Sequence, residues 1–219
     1  MLLTQDLVVG HHGRPVAAIA DFEAGSGEAV LLLGPSGSGK STALFTLGGL
    51  LPVISGAITL DKAPFSALSA GRRDRLRGSR IGMIFQDVHL LPGLSVLDNV
   101  LLGPFAAGAR QDREAALARI EELGLADARH RKAETLSRGE AQRIAIARAM
   151  LMNPSLILAD EPTASLDDAN AGLVADLLIR AASETGAALV IATHDHRLKT
   201  RFTRRIDVAA LATRQETLA

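Results

Sequence analysis

The sequence contains no cysteine, no tryptophan and no tyrosine, and aromatic residues make up only 3% of its 219 residues. A chain without cysteine forms no disulfide, which is typical of proteins from a reducing compartment. The scarcity of aromatic side chains removes the platforms on which single-stranded nucleic acids stack. The formal net charge is zero, so no overall positive field attracts nucleic acid. We therefore expect a cytoplasmic protein with no nucleic-acid partner.

Long hydrophobic segments are missing as well. The longest apolar runs, such as Ala29 to Leu33 and Ala187 to Ala192, fall short of the roughly 20 residues that cross a bilayer. The segment from Met1 to Gly10 lacks the basic stretch and apolar core of a secretory signal. Hydrophobic residues still make up 47% of the chain, which suffices for the core of one globular domain. The sequence thus predicts a single domain without a membrane span.

Three short apolar runs lack strict alternation, which indicates strands buried on both faces of a parallel sheet. Each run ends in polar residues, and ligands of such sheets bind beyond the carboxyl ends of the strands. We therefore expect the three endings to form one crevice. The runs are Ala29 to Leu33 before a glycine-rich loop at Gly34, Leu156 to Ala159 before Asp160 and Glu161, and Ala187 to Thr193 before His194.

The segments between these runs predict an α/β fold with two additions. One is an antiparallel β subdomain, and the other is a helical insert between two sheet strands. The predicted antiparallel strands are Leu2 to Val9, Val16 to Phe22 and Gly56 to Leu60, with a turn at residues 10–13. The predicted helices are Arg113 to Leu123 and Glu140 to Met152, the latter stopped by Asn153 and Pro154.

The residues from Gly34 to Ser41 match the phosphate-binding loop, which must follow a strand and precede a helix, as it does here. Glycines let the backbone N–H groups surround phosphates, and a helix that starts near Lys40 adds the positive end of its dipole. Lys40 would reach the outer phosphates, and Ser41 would bind Mg²⁺. We therefore predict ATP and Mg²⁺ as cofactors. The nucleotide-binding residues of this segment are Gly34, Pro35, Ser36, Gly37, Ser38, Gly39, Lys40, Ser41 and Thr42.

Two other motifs admit both a chemical and a purely structural interpretation. Asp160 suits the Mg²⁺ shell and Glu161 suits a base toward water, yet both acids can also be N-terminal caps for the following segment. Ser137, with Gly139 behind it, starts the second predicted helix, where Glu140 completes a capping box that needs no ligand. The same helix N-terminus is also a ready anion site. A second anion site in addition to the loop requires an explanation.

Taken together, the motifs resemble the nucleotide-binding subunit of an ATP-binding cassette (ABC) transporter over almost the whole chain. This resemblance implies a P-loop NTPase fold, with a RecA-like core at 1–85 and 156–219 and a helical subdomain at 86–155. It also implies a head-to-tail homodimer in which the signature of one copy covers the γ-phosphate bound by the other. The motifs are Walker A at Gly34 to Ser41, the Q-loop Gln86, the signature Leu136 to Gln142, Walker B at Asp160 and Glu161, the D-loop Ser165 to Asp167, and the switch His194.

The resemblance also assigns roles to single residues. Glu161, His194 and Gln86 are the catalytic residues, while Ser41, Gln86 and Asp160 are the Mg²⁺ ligands. Ser137 and Gly139 approach the nucleotide, and Asp167 links the two sites of the dimer. Two departures from the family pattern occur in the signature: Arg138 replaces a glycine, and Ala141 replaces a commonly polar residue.

Adenine recognition is a further departure. The family stacks an aromatic residue on adenine, whereas this chain offers only His11 or His12 in that region. We expect His11 to contact the nucleotide, although a histidine stacks less strongly than a larger aromatic ring. Both histidines also suit an ordinary turn without a ligand contact.

The segments 76–86, 90–92 and 99–100 resemble the branch that contains lipoprotein-release, macrolide-export and cell-division ATPases. The resemblance thus implies an ATPase that energises a bacterial inner-membrane transporter. It would sit on the inner face of the membrane, dock on a separate permease and make no direct contact with cargo. In the family the segment after Gln86 meets the permease, and Leu90 and Leu91 suit either docking or core packing. The alternative is a mechanotransmission ATPase of the cell-division type. DNA-repair ATPases with similar motifs would need a long coiled-coil insertion or added DNA-binding modules, and neither is present.

Overall fold

The computed structural model describes residues 1–164 and 166–211. Within these residues a mixed sheet of nine strands is covered by seven α-helices. The strands are β1 (Leu2–His11), β2 (Arg14–Ile19), β3 (Phe22–Ala24), β4 (Ala29–Leu33), β5 (Val53–Leu60), β6 (Ile81–Ile84), β7 (Leu156–Asp160), β8 (Ala188–Ala192) and β9 (Arg204–Ala210). The helices are α1 (Lys40–Leu47), α2 (Ala70–Arg80), α3 (Val96–Ala106), α4 (Arg113–Glu122), α5 (Arg138–Met150), α6 (Asp168–Thr185) and α7 (His196–Lys199). The predicted α/β class with a P-loop core is confirmed.

The parallel part of the sheet has the strand order β9-β4-β8-β7-β6. Strands β7 and β8 are buried along their whole length, and only the two end residues of β4 are partly exposed. The three predicted core strands are therefore confirmed, although β8 is one residue shorter than predicted at each end and β7 extends one residue further, to Asp160. Because these strands are neighbours and parallel, their carboxyl ends lie at one edge, where the polar residues follow.

The antiparallel part is built on β1, which pairs with β2, β3 and β5. The prediction of one strand from Val16 to Phe22 is wrong, because β2 ends at Ile19 and β3 starts only at Phe22. At this break the Asp21 carboxylate accepts a 2.7 Å hydrogen bond from the backbone N–H of Asp6, which has φ 46°. This contact fixes a corner, so β2 and β3 pair with opposite ends of β1.

The strand β9 joins the two parts of the sheet. It runs parallel to β4 on one side and antiparallel to β2 on the other. No local sequence pattern indicates this strand, because its two adjacent arginines and an aspartate do not resemble a central strand. Its two neighbours make the sheet continuous despite that composition.

Helices α3, α4 and α5 lie between β6 and β7 and share a core of their own, formed by residues such as Val100, Ile120 and Ile144. Helix α5 also sends Ile146 and Met150 into the core beneath the sheet, so it ties the insert to the strands. It begins at Arg138, two residues earlier than predicted, because Ser137 is its N-cap. No helix in the described ranges has the length and hydropathy needed to cross a bilayer.

Candidate functional site

A cleft of about 350 Å³ lies at the carboxyl edge of the parallel strands. The three strand endings that the sequence predicted to converge all reach this cleft or its walls. Gln86, which follows β6, reaches it as well. The residues that line it include Ser36, Gly37, Gly39, Lys40, Ser41, Thr42, Gln86, Glu161 and His194.

The loop between β4 and α1 depends on its glycines. Gly37 and Gly39 have φ values of 78° and 93°, a region that side-chain-bearing residues rarely adopt. A Cβ on Gly34 would lie 2.3 Å from the Ser38 hydroxyl, and one on Gly39 would lie 2.9 Å from the Ala17 Cβ. The backbone therefore curls tightly at the start of α1, as a phosphate cradle requires.

Lys40 is the first residue of α1 and is only 6% exposed. Its ammonium donates hydrogen bonds to the carbonyl oxygens of Gly34 and Pro35, both at 2.9 Å. The positive charge is thus held at the loop by neutral acceptors. Anionic oxygens would compete well for the same donors, because charge-assisted hydrogen bonds are the stronger ones.

Asp160, at the end of β7, accepts a hydrogen bond from the Ser41 hydroxyl at 2.9 Å. Burial raises the pKa of Asp160, the Ser41 hydrogen bond opposes this rise, and the neighbouring Glu161 adds to it. The interpretation of Asp160 and Glu161 as helix caps is wrong, because Asp167 is the N-cap of α6. The described residues contain no group of three His, Asp or Glu side chains that would hold a metal by themselves.

Glu161 is fixed by three donors. The Thr193 hydroxyl donates to Oε2 at 2.7 Å, while Nδ1 and the backbone N–H of His194 approach Oε1 at 2.7 and 3.2 Å. The residue has φ 45°, so the chain turns sharply at the end of the strand. Thr193 is not recognisable as a site residue from the sequence, because its position in an apolar run indicates only a buried strand residue. Its role follows from the parallel pairing of β7 with β8.

The signature segment forms the predicted capping box. The Ser137 hydroxyl accepts from the N–H of Glu140, and the Glu140 carboxylate accepts from the N–H of Ser137 at 2.7 Å. Ser137 and Arg138 are exposed, whereas Gly139 is buried against Asn170. A Cβ on Gly139 would lie 2.9 Å from the side-chain oxygen of Asn170. Ser137 and Gly139 lie outside the cleft that holds Lys40. Within one chain, the signature therefore does not line the same cleft as the phosphate-binding loop.

Asp167 is exposed and caps α6 by accepting from the backbone and side-chain N–H groups of Asn170. These hydrogen bonds lower the pKa of Asp167. Ser165, the first residue of the predicted D-loop, lies outside the described residues.

The structure separates the two histidines proposed for adenine. His11 Nε2 lies 2.8 Å from the Thr42 hydroxyl in the first turn of α1. His12 has φ 50° and forms the turn between β1 and β2. His11 is thus attached to the helix that follows the loop.

The profile of the ABC transporter family matches residues 18–164. A lipoprotein-releasing system ATP-binding protein, LolD, from Legionella pneumophila is 41% identical over 186 residues, which cover 84% of this chain and 82% of the relative. A phosphonates import ATP-binding protein, PhnC, from Nocardia farcinica is 47% identical over 182 residues, covering 76% and 66%.

Solved structures agree with these sequence relatives. The dimeric structure of MJ0796, described as a bacterial ABC transporter cassette, superposes with a TM-score of 0.83 at 31% identity, covering 95% of this chain and 94% of that one. A second structure of that cassette holds ADP and Pi in a post-hydrolysis state. The cbiO1 protein from Clostridium perfringens gives a TM-score of 0.84 at 27% identity, covering 96% and 86%.

Proposed function

The chain belongs to the ABC transporter family, and from this membership we propose how its cleft binds and uses ATP. It is the ATP-binding subunit that energises such a transporter by hydrolysing ATP, with the permease as a separate chain. The observation that supports the site assignment most strongly is the convergence of Lys40, Glu161 and His194 on one cleft.

The loop from Gly34 to Ser41 would bind the phosphates of ATP. Its backbone N–H groups and the N-terminus of α1 favour anions, and Thr42 lines the same cleft. The Lys40 ammonium would leave the carbonyls of Gly34 and Pro35 for the outer phosphates, which are charged acceptors. The loop would thus be pre-shaped before the ligand arrives.

Ser41 and Asp160 fit a Mg²⁺ ion bound beside the phosphates. A hydroxyl and a carboxylate are oxygen ligands, and Mg²⁺ usually completes its shell with waters and phosphate oxygens. The Asp160 carboxylate is buried and its pKa is raised, so a cation would offset the cost of its negative charge. Gln86 lines the same cleft and would add an amide oxygen. When bound, the ion supplies charge neutralisation during phosphoryl transfer.

We assign Glu161 as the base that orients and deprotonates the attacking water. Because Thr193 and His194 hold its two oxygens, the carboxylate is aimed before the nucleotide binds. The His194 side chain is 64% exposed and lines the cleft, which suits a contact to the γ-phosphate. Such positioning supplies most of the catalysis in this reaction class.

The exposed signature at Ser137 and Arg138 would complete the site of a second copy. Its helix N-terminus presents N–H groups suited to an anion, while the chain's own loop lies elsewhere. The relative MJ0796 is dimeric, which supports a homodimer. We propose that each site of this homodimer takes residues from both chains. Asp167, exposed at the start of α6, would face the partner.

The permease would dock on the side of the chain formed by α2, β6 and α3. A groove of about 620 Å³ there is lined by Phe85, Leu102 and Ala106, with arginines such as Arg75 on its wall. Phe105 is 67% exposed and Leu91 is 48% exposed, whereas Leu90 packs against the core of the insert. We propose that this docking holds the chain at the cytoplasmic face of the membrane. A release-type partner is proposed over an importer, because the lipoprotein-releasing relatives are matched over more of both chains than the phosphonates import relative, although that relative is more identical.

A mixing experiment tests the composite site. Lys40→Ala removes the phosphate contact, and Ser137→Arg blocks the signature, so each purified variant alone should lose ATP turnover. In a mixed dimer both lesions fall in one site and the other site is intact. We expect the mixture to recover about a quarter of wild-type turnover, because about half of the dimers are mixed and each holds one intact site.

The matched control mixes Lys40→Ala with Glu161→Gln. Both residues serve the site of their own chain, so every mixed dimer has two damaged sites and turnover should stay lost. Recovery in the control, or no recovery with Ser137→Arg, would refute the composite arrangement.

A further inference from the structure

The guanidinium of Arg197, in the short helix α7, joins two segments that flank the cleft. It binds the Asp195 carboxylate through Nε and Nη2, at 2.9 and 2.8 Å to the nearest oxygens. Its Nη1 donates to Asp168 at 2.6 Å and to the carbonyl of Leu166 at 3.3 Å. One side chain thus ties the segment after β8 to the start of α6.

The first of these attachments reaches the catalytic carboxylate through a short chain of hydrogen bonds. Asp195 follows His194 directly, and its backbone N–H donates to the Thr193 hydroxyl at 2.9 Å. That hydroxyl in turn donates to Glu161 at 2.7 Å. A buried threonine, Thr163, also donates to Asp195 at 2.7 Å. The position of Asp195 therefore sets the donors that aim Glu161.

The second attachment reaches the surface assigned to the partner copy. Asp168 is adjacent to the cap residue Asp167, whose carboxylate is bound by Asn170. Asn170 also packs against the buried Gly139 of the signature. Movement of the signature or of Asp167 would therefore displace the anchor of Arg197.

The charges of this bridge persist over the working pH range. Burial raises the pKa of Asp195, but the hydrogen bonds from Arg197 and Thr163 outweigh it and lower the pKa to about 2. The carboxylate is therefore ionised whenever the protein is folded near neutral pH. A bidentate arginine–carboxylate contact is also more directional than a lysine contact.

We propose that Arg197 is a positioning residue that transmits contact at the dimer face to the catalytic carboxylate Glu161. This inference rests on the proposed composite site, because it requires the start of α6 to face the partner. In a dimer, closure around one nucleotide would press on Asp167 and Asp168. Arg197 would pass that displacement to Asp195 and so to the donors of Glu161.

The test compares Arg197→Ala with Arg201→Ala in the full chain. Arg201 is a matched control, because it is similarly exposed and pairs with Asp176 further along the same helix α6. We expect Arg197→Ala to lower kcat about fivefold, to leave KM for ATP within about twofold, and to move the Hill coefficient toward one. Arg201→Ala should keep wild-type kcat, and Arg197→Lys should regain only part of the loss, because its ammonium cannot bridge both carboxylates as the guanidinium does.

Asp168→Asn provides an independent route if Arg197→Ala folds poorly, because it weakens the same bridge from its exposed end. It should reproduce the loss of kcat at an unchanged melting temperature. Wild-type kcat in Arg197→Ala, or an equal loss in Arg201→Ala, would overturn the proposal. A loss of kcat in Arg197→Ala that is accompanied by weaker ATP binding and lower stability would also overturn the proposal. The composite site is tested separately from the role of Arg197, by the mixing experiment and by the turnover of the wild-type protein.

Discussion

His194 Nδ1 and Glu161 Oε1 lie 2.7 Å apart, so the ends of β8 and β7 meet in a hydrogen-bonded pair. We predict that Glu161→Gln lowers turnover by at least about a hundredfold, because an amide does not accept the proton of the attacking water. ATP affinity should change little, since Lys40 and the loop are untouched. Steady-state hydrolysis and equilibrium nucleotide binding measure the two effects.

The same variant should also accumulate as an ATP-bound dimer, which light scattering with MgATP detects. The double variant Lys40→Ala, Glu161→Gln should remain monomeric. Glu122→Gln, in an exposed ion pair on α4, provides the matched charge control. Rapid hydrolysis by Glu161→Gln would show that Glu161 is not the base.

We propose that His11, whose Nε2 lies 2.8 Å from the Thr42 hydroxyl, contacts the nucleotide. We predict that His11→Tyr tightens ATP binding by about two- to fivefold, because a larger ring stacks more strongly. His11→Ala should weaken binding by a similar factor. His12→Ala is the control and should bind like the wild type. Equal effects at the two positions would indicate that both histidines belong to an ordinary turn without a nucleotide contact.

Asp160 makes stability depend on pH in a defined direction. Its pKa is raised above the usual 3.8, mainly by burial, so the folded state holds this proton more tightly than the unfolded state does. Ionisation of Asp160 therefore lowers stability as pH rises above that value. We predict that Asp160→Asn raises the melting temperature at pH 7 without nucleotide, and that this gain shrinks toward pH 4.

Asp160→Asn should also lose the extra stabilisation that Mg²⁺ adds to ATP, because the amide is a poorer ligand. Thermal melts with ATP, with and without Mg²⁺, measure both effects. Asp127→Asn, on an exposed turn, should neither raise the melting temperature at pH 7 nor reduce the stabilisation that Mg²⁺ adds. A lower melting temperature for Asp160→Asn at pH 7 would contradict the assigned cost of the buried charge.

Leu91 tests whether the segment after Gln86 contributes to docking, because it is 48% exposed and does not belong to the core of the insert. We predict that Leu91→Glu leaves the melting temperature and basal hydrolysis close to wild type but abolishes co-purification with the permease. Leu173→Glu is the matched control, since Leu173 is 40% exposed on α6. Retained permease binding by Leu91→Glu would exclude the segment after Gln86 from docking.

The parts of the fold that the sequence predicted are those with strong local patterns. The strand Ala29–Leu33 was predicted at its observed bounds, because an uninterrupted apolar run before a glycine loop has few other interpretations. The capping box at Ser137 is a local motif of four residues and was predicted for the same reason. Helix α4 differs from its prediction by one residue at its end.

The parts that were missed depend on contacts between distant segments. Arg197 lies 29 residues from Asp168 in the chain, and no pattern around either residue indicates that they meet. Thr193 contacts Glu161 only because β8 pairs with β7. The break between β2 and β3 depends on Asp21 bonding to Asp6, which sequence periodicity does not reveal. In each case the contact is determined by the tertiary arrangement and not by a local sequence pattern.

Strand β9 has a consequence for how the protein is made. It lies between β2 and β4, yet its residues, Arg204–Ala210, are translated some 170 residues after β4. The carbonyl of Val208 also lies 3.2 Å from where a Cβ on Gly34 would be, so β9 supports the first residue of the loop. Until residues 204–210 have left the ribosome, the two halves of the sheet are not joined through β9. Closing them is a long-range step, which such pairings make slow, and the immature chain exposes two open strand edges until then.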